Sequence, residues 1–134
     1  MKRKLRIESN IKNLRVVENT IDKVTNEIGI NQEYYGKILV STLEAVNNAI
    51  LHGNNSNPNK FVEIIINFEK KHLIIKVTDE GNGFVPEEIP DPTKLERIEE
   101  INGRGVFLMS HLADEIRYSK RGNAVILTFK NVVS

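Results

Sequence analysis

Two runs rich in β-branched residues, FVEIIINF from Phe61 and HLIIKVTD from His72, constrain this chain more than any other feature. Isoleucine and valine are stiff at χ1 and fit a pleated surface better than a helix, so each run predicts a strand. Only Glu69, Lys70 and Lys71 separate the runs, which is turn length, so the two strands should pair antiparallel. The unbroken Ile64, Ile65 and Ile66 depart from strict alternation and predict a strand covered on part of both faces. Such a sheet needs helices packed on one side, and the rest of the chain must supply them.

Upstream, Ile11, Leu14, Val17, Ile21, Val24 and Ile28 recur at spacings of three and four, with Ser9 or Asn10 placed to cap and Gly29 to close. This predicts an amphipathic helix of about five turns that lies on the sheet or shares in a partner surface. Weak alternation over residues 4–8 predicts a short first strand. A second helix should start behind an Asn31 cap and run over residues 32–51, ending near Gly53, with Ile38, Leu39, Leu43, Val46, Ala49 and Ile50 facing the core. The following NNSNPN reads as a loop.

Residues 80–102 hold Pro86, Pro90 and Pro92 and the charged KLERIEEI, and read as a lid-like loop. VFLMSHLAD fits a short helix, and EIRYS and AVILTF fit two closing strands joined by a turn over residues 120–123. The order of helices, hairpin, helix and hairpin predicts one α+β domain over residues 1–134. Its expected form is a two-layer α/β sandwich with a mixed, mainly antiparallel sheet and helices on one face.

Charge narrows the classes of partner. Basic and acidic residues nearly cancel to a formal +1, which argues against a general nucleic-acid coat or a polybasic membrane binder. The basic MKRKLR lacks the apolar run of a signal peptide, and no segment approaches the roughly 18 apolar residues of a membrane span. A cytoplasmic protein without direct nucleic-acid or membrane contacts is therefore expected. Because cysteine is absent, disulfides, thiolate metal sites and thiol nucleophiles are excluded.

Three clusters could carry chemistry. In EAVNNAILHG, Glu44, Asn48 and His52 stand at i, i+4 and i+8 and share one face of a helix. An unpaired buried carboxylate or amide costs roughly 1–3 kcal/mol, so the stripe faces solvent or a ligand. A solvated face with His52 in a C-cap accounts for it. So does a site in which the Asn48 carbonyl offers Mg²⁺ a hard neutral oxygen and Glu44, one turn earlier, orients or deprotonates a hydroxyl. DEGNGF follows the apolar strand and reads either as a turn or as a base pocket. In the pocket, Asp79 accepts from an exocyclic amine, and Gly81 and Gly83 let a flat ring approach the backbone. In GRGVFLM, Gly103, Arg104 and Gly105 lead into a helix, as a plain junction or as a phosphate site built on free N–H groups. No GxxxxGK[ST] is present, and Gly81-x-Gly83 lacks the third glycine of a dinucleotide fingerprint.

Taken together and in this order, the clusters resemble the Bergerat-fold (GHKL) ATP-binding family, which includes gyrase-type ATPases, sensor histidine kinases and anti-sigma-factor serine kinases. Glu44, Asn48 and His52 match its asparagine box, Asp79, Gly81 and Gly83 its aspartate-glycine box, and Gly103, Arg104 and Gly105 its second glycine box. The stretch PDPTKLERIEEINGRGVFLM looks most like the anti-sigma-factor serine/threonine kinase branch. The resemblance implies ATP and Mg²⁺ as cofactors, with Asn48 the metal ligand and Glu44 the catalytic base or orienter. Asp79 would recognise the adenine amino group, with Gly81 and Gly83 lining its pocket. Gly103, Arg104, Gly105, Val106 and Phe107 would cover the phosphates. The implied partners are an anti-anti-sigma protein of the STAS fold, a sigma factor and, by family analogy, a second copy of the chain. A nucleotide-gated binding module with little transfer activity and a stand-alone histidine-kinase-like ATPase domain are the alternative readings.

Overall fold

The computed structural model describes residues 1–81, 112–119 and 122–134. Within them lie strands β1 (Lys2–Glu8), β2 (Phe61–Glu69), β3 (His72–Thr78), β4 (Glu115–Tyr118) and β5 (Ala124–Phe129) and helices α1 (Leu14–Ile28) and α2 (Gln32–Asn48). The lid expected over residues 80–102 and the helix expected from Val106 fall, but for their outer ends, outside the described residues.

The strands form one open sheet in the order β1-β2-β3-β5-β4. All four pairings are antiparallel, the fully antiparallel end of the expected mixed, mainly antiparallel arrangement. Register aligns the apolar residues in rows across the strands. Leu5 faces Ile64, which faces Val77, which faces Val125, and Ile66, Ile75 and Leu127 form the row beside it. These rows point at the helices, where Val17, Ile21 and Val24 of α1 and Ile38, Ala45 and Val46 of α2 meet them. Burying each large aliphatic side chain contributes about 1.5–3 kcal/mol, so this single layer of contact holds the fold. Ile65, between two fully buried neighbours, is only half-buried because alternation turns it to the opposite face. The fold is the expected α+β sandwich with helices on one face of the sheet.

Local chemistry shifts two boundaries. Residues Ile11–Asn13 form a 3₁₀ turn, and α1 begins after it. The cause is Asn10, whose side-chain oxygen accepts the Lys12 N–H and tightens the entry. Ile11 is left 51% exposed, outside the core stripe it was expected to join. Gly29 ends α1 as expected, with φ +80° and its N–H donated to Thr25 O at 3.0 Å, a left-handed cap that suits glycine. Asn31 precedes α2 without capping it, because its Oδ1 accepts the Ser134 hydroxyl at 3.1 Å instead. At the far end α2 stops at Asn48 and continues as a π-helical turn, Ala49–Gly53, in place of the α-helix expected through Leu51. No helix among the described residues is long and apolar enough to cross a membrane.

Candidate functional site

The π turn is where the site begins. The Asn54 N–H reaches back five residues to Ala49 O at 2.9 Å, a wide turn that persists where tertiary contacts hold it and that recurs at functional sites. Asn54 supplies those contacts. It is 0% exposed, and both hydrogens of its amide are used, toward Ser9 Oγ at 2.8 Å and Phe61 O at 3.0 Å. Its Oδ1 accepts the Glu80 N–H at 2.8 Å. Ser9 is in turn buried, and its hydroxyl donates to Lys60 O at 2.7 Å. One carboxamide therefore ties together the end of α2, the end of β1, the start of β2 and the loop after β3. Burial without these partners would cost a carboxamide about 1–3 kcal/mol, so the network is also a condition of the fold.

Asp79 lies one residue beyond β3. Its N–H donates to Asn123 O at 2.9 Å, and its own carbonyl accepts from Asn123 Nδ2 at 3.2 Å. Its Oδ1 accepts the Gly81 N–H at 2.8 Å, closing a tight turn of the kind Asp favours. The Glu80 carboxylate accepts the Phe61 N–H on the neighbouring strand.

Two glycines let this loop touch the end of α2. A Cβ on Gly53 would stand 2.2 Å from Asp79 Oδ2, and one on Gly81 would stand 1.9 Å from Gly53 O. Contacts under about 3 Å between such atoms do not occur, so any side chain at either position would push the two segments apart. The helix that bears the polar stripe and the strand end that bears the aspartate thus meet backbone to backbone.

On α2, Glu44 and Asn48 are half-buried and one turn apart. His52 is exposed and sits in the π turn, where α-helical spacing no longer governs its placement. Asp79 and Gly81 come together against Gly53. Gly83, Gly103, Arg104, Gly105, Val106 and Phe107 lie outside the described residues. Among the described residues no cluster of three or more His, Asp or Glu could hold a metal by itself. A half-buried carboxamide such as Asn48 fits a different kind of site, in which Mg²⁺ keeps waters and substrate phosphates and takes few protein ligands.

The part that Asn54 and Asn123 play in holding these segments together was not legible in the sequence. Asn54 stands in a run that also holds Asn55, Asn57 and Asn59, all of which read as turn formers. Asn123 stands in an ordinary hairpin turn. The only local hint is that Asn54 directly follows the glycine that ends the helix.

A family model described as a histidine kinase-like ATPase domain matches residues 7–129. The chain is 27% identical over 120 residues to the serine-protein kinase RsbW of Oceanobacillus iheyensis, a match covering 84% of this chain and 75% of that protein. It is 39% identical over 75 residues to the anti-sigma F factor of Geobacillus stearothermophilus, which spans 54% of this chain and about half, 51%, of that relative. A solved structure of the RsbU and RsbW domains of a Mycobacterium tuberculosis protein superposes with a TM-score of 0.71 at 16% identity. That likeness of fold covers 97% of this chain and 32% of the other.

Proposed function

We infer the chemistry of this site from family membership: the chain belongs to the histidine kinase-like ATPase domain family. On that premise we propose an ATP-dependent protein serine/threonine kinase of the anti-sigma-factor type. It would transfer the γ-phosphoryl of ATP to a STAS-type anti-anti-sigma partner and sequester a sigma factor. The observation that supports the reading is the close approach of Gly53 to Asp79, which brings the turn that follows the Glu44–Asn48 helix against the strand-end carboxylate. The serine-protein kinase and anti-sigma F factor among the relatives support this branch over a detached histidine-kinase domain.

Each residue has a role in this reading. The Asp79 carboxylate accepts a hydrogen bond from the adenine amino group, and Gly81 leaves room for the flat base. Asn48 would hold Mg²⁺, which when bound supplies positive charge against the phosphate oxygens. Glu44 accepts the proton of the acceptor serine or threonine as its oxygen bonds to the γ-phosphorus; the bond from that phosphorus to the β–γ bridging oxygen breaks, and ADP leaves. Phosphoryl transfer depends mainly on positioning and charge stabilisation, so few protein groups suffice. Gly103, Arg104, Gly105, Val106 and Phe107 would close over the phosphates, and His52 would shape the adjoining loop.

Incubation with ATP, Mg²⁺ and a STAS partner, read by intact mass, tests the proposal. The wild-type chain should phosphorylate the partner. Glu44→Ala should slow transfer by about 10²-fold or more, the usual worth of a general base, and keep most of its ATP affinity. Normal transfer by that variant would remove Glu44 from the mechanism. Nucleotide-dependent partner binding with no phosphorylated product would favour the binding-module reading.

A further inference from the structure

We propose that Asn54 and Asn123 form a clamp that positions Asp79, so that these two asparagines set the selectivity of the site for adenine. The inference rests on the nucleotide reading above and assigns a role to two residues outside its binding set.

The need for a clamp follows from where the sheet ends. Thr78 is the last residue of β3 paired on both sides, with Glu63 of β2 and Ala124 of β5. Asp79 is one step past it, so the ladder no longer fixes its backbone. Three hydrogen bonds take over, one to the main chain of Asn123 and two to the side chains of Asn123 and Asn54. The Asp79 N–H is held by Asn123 O at 2.9 Å, the Asp79 carbonyl by Asn123 Nδ2 at 3.2 Å, and the Glu80 N–H by Asn54 Oδ1 at 2.8 Å. Three successive polar groups of the backbone are thereby fastened, from opposite sides of the loop.

Each jaw is itself anchored. Asn54 is immobilised by its bonds to Ser9 Oγ and Phe61 O and by complete burial. The Asn123 Oδ1 accepts from Ser119 Oγ at 3.1 Å. Asn54→Ala removes the Oδ1 acceptor of the Glu80 N–H, and Asn123→Ala removes the Nδ2 donor to the Asp79 carbonyl while leaving the main-chain bond from Asp79 N–H to residue 123 in place. The backbone that carries the carboxylate would then be held less tightly beside the turn to Gly81 and the contact with Gly53.

A carboxylate can only accept, so it favours a purine with an amino group at the recognised edge and disfavours one with a carbonyl there. That preference depends on placement, and a misplacement of about 1 Å in such a site can cost on the order of 10²-fold. The clamp should therefore matter most for the ratio of ATP to GTP affinity. A merely structural pair would lower the melting temperature and leave the ratio alone.

Calorimetry with ATP and with GTP, each with Mg²⁺, reads this ratio. The wild-type chain should prefer ATP. Asn54→Ala and Asn123→Ala should each lose about tenfold in ATP affinity, the worth of one well-placed hydrogen bond, with little change toward GTP. Ile21→Val, in the α1 core, serves as a control that lowers the melting temperature and keeps the ratio. Should Asn54→Ala fail to fold, Asn123→Ala carries the decision. Folded clamp variants that keep the wild-type ratio would overturn the proposal, as would a wild-type chain that binds the two nucleotides equally. A wild-type chain that binds neither would instead overturn the nucleotide reading itself.

Discussion

Gly53 is a glycine at a helix end whose reason lies across the fold and not in the helix. The space beside its α-carbon is taken by the Asp79 carboxylate, with Oδ2 2.2 Å from where a Cβ would sit. Gly53→Ala should force that carboxylate aside and cost roughly 1–3 kcal/mol of stability by overpacking. It should also weaken ATP binding about tenfold or more, since the displaced group is the proposed adenine contact. Thermal melts and calorimetry check both, and wild-type ATP affinity in a folded Gly53→Ala protein would detach the contact from function. At this scale part of the candidate site was legible. Glu44 and Asn48 stand out because helical spacing puts two polar groups on one face, and Asp79 because it ends an apolar run. Asn54 did not stand out, since an asparagine that forms a turn and one that is buried with three hydrogen bonds look the same in a run of asparagines. Only residues distant in the sequence, Ser9, Phe61 and Glu80, single it out.

Among the elements, the strands were the most legible, because β-branched runs with a period of two leave little choice. The π turn was not, because its wide hydrogen bond is held by tertiary partners and no local pattern encodes it. The pairing of α1 with α2 adds a contact of a different kind, in which Tyr35 donates its hydroxyl hydrogen to Asp22 Oδ1. That bond first, then desolvation, then the charges of Asp22 and Glu18, push the Tyr35 pKa up from 10.0 to about 12. The neutral phenol is the form the fold favours. Stability from this contact is therefore complete below pH 10 and is lost as pH rises from 10 to about 12. The pair is only part-buried, so its share is small. Urea melts of wild type and Tyr35→Phe across that window should show wild type losing its advantage and the two curves converging. A difference that stays constant with pH would refute the assignment.

For the molecule as a whole, the candidate site gathers one end of the sheet. The end of β1 enters through Ser9, the end of α2 through Gly53 and Asn54, the start of β2 through Phe61, the end of β3 through Asp79, and the start of β5 through Asn123. The family's order of boxes was readable along the chain, whereas this convergence depends on the strand order β1-β2-β3-β5-β4, which brings β5 beside β3 across the intervening sequence. A ligand seated there binds only the assembled fold. By mass action it should stabilise the native state by about 2.7 kcal/mol when present at 100 times its Kd. For a chain of 134 residues each kcal/mol raises the melting temperature by roughly 3–5 °C, so ATP with Mg²⁺ should raise it by about 10 °C. Asp79→Asn should lose most of that rise, because an amide in place of the carboxylate can present a donor to the adenine amino group where an acceptor is required. A melting temperature that ignores ATP, in a protein that remains folded and monodisperse, would mean that these five elements converge for stability alone.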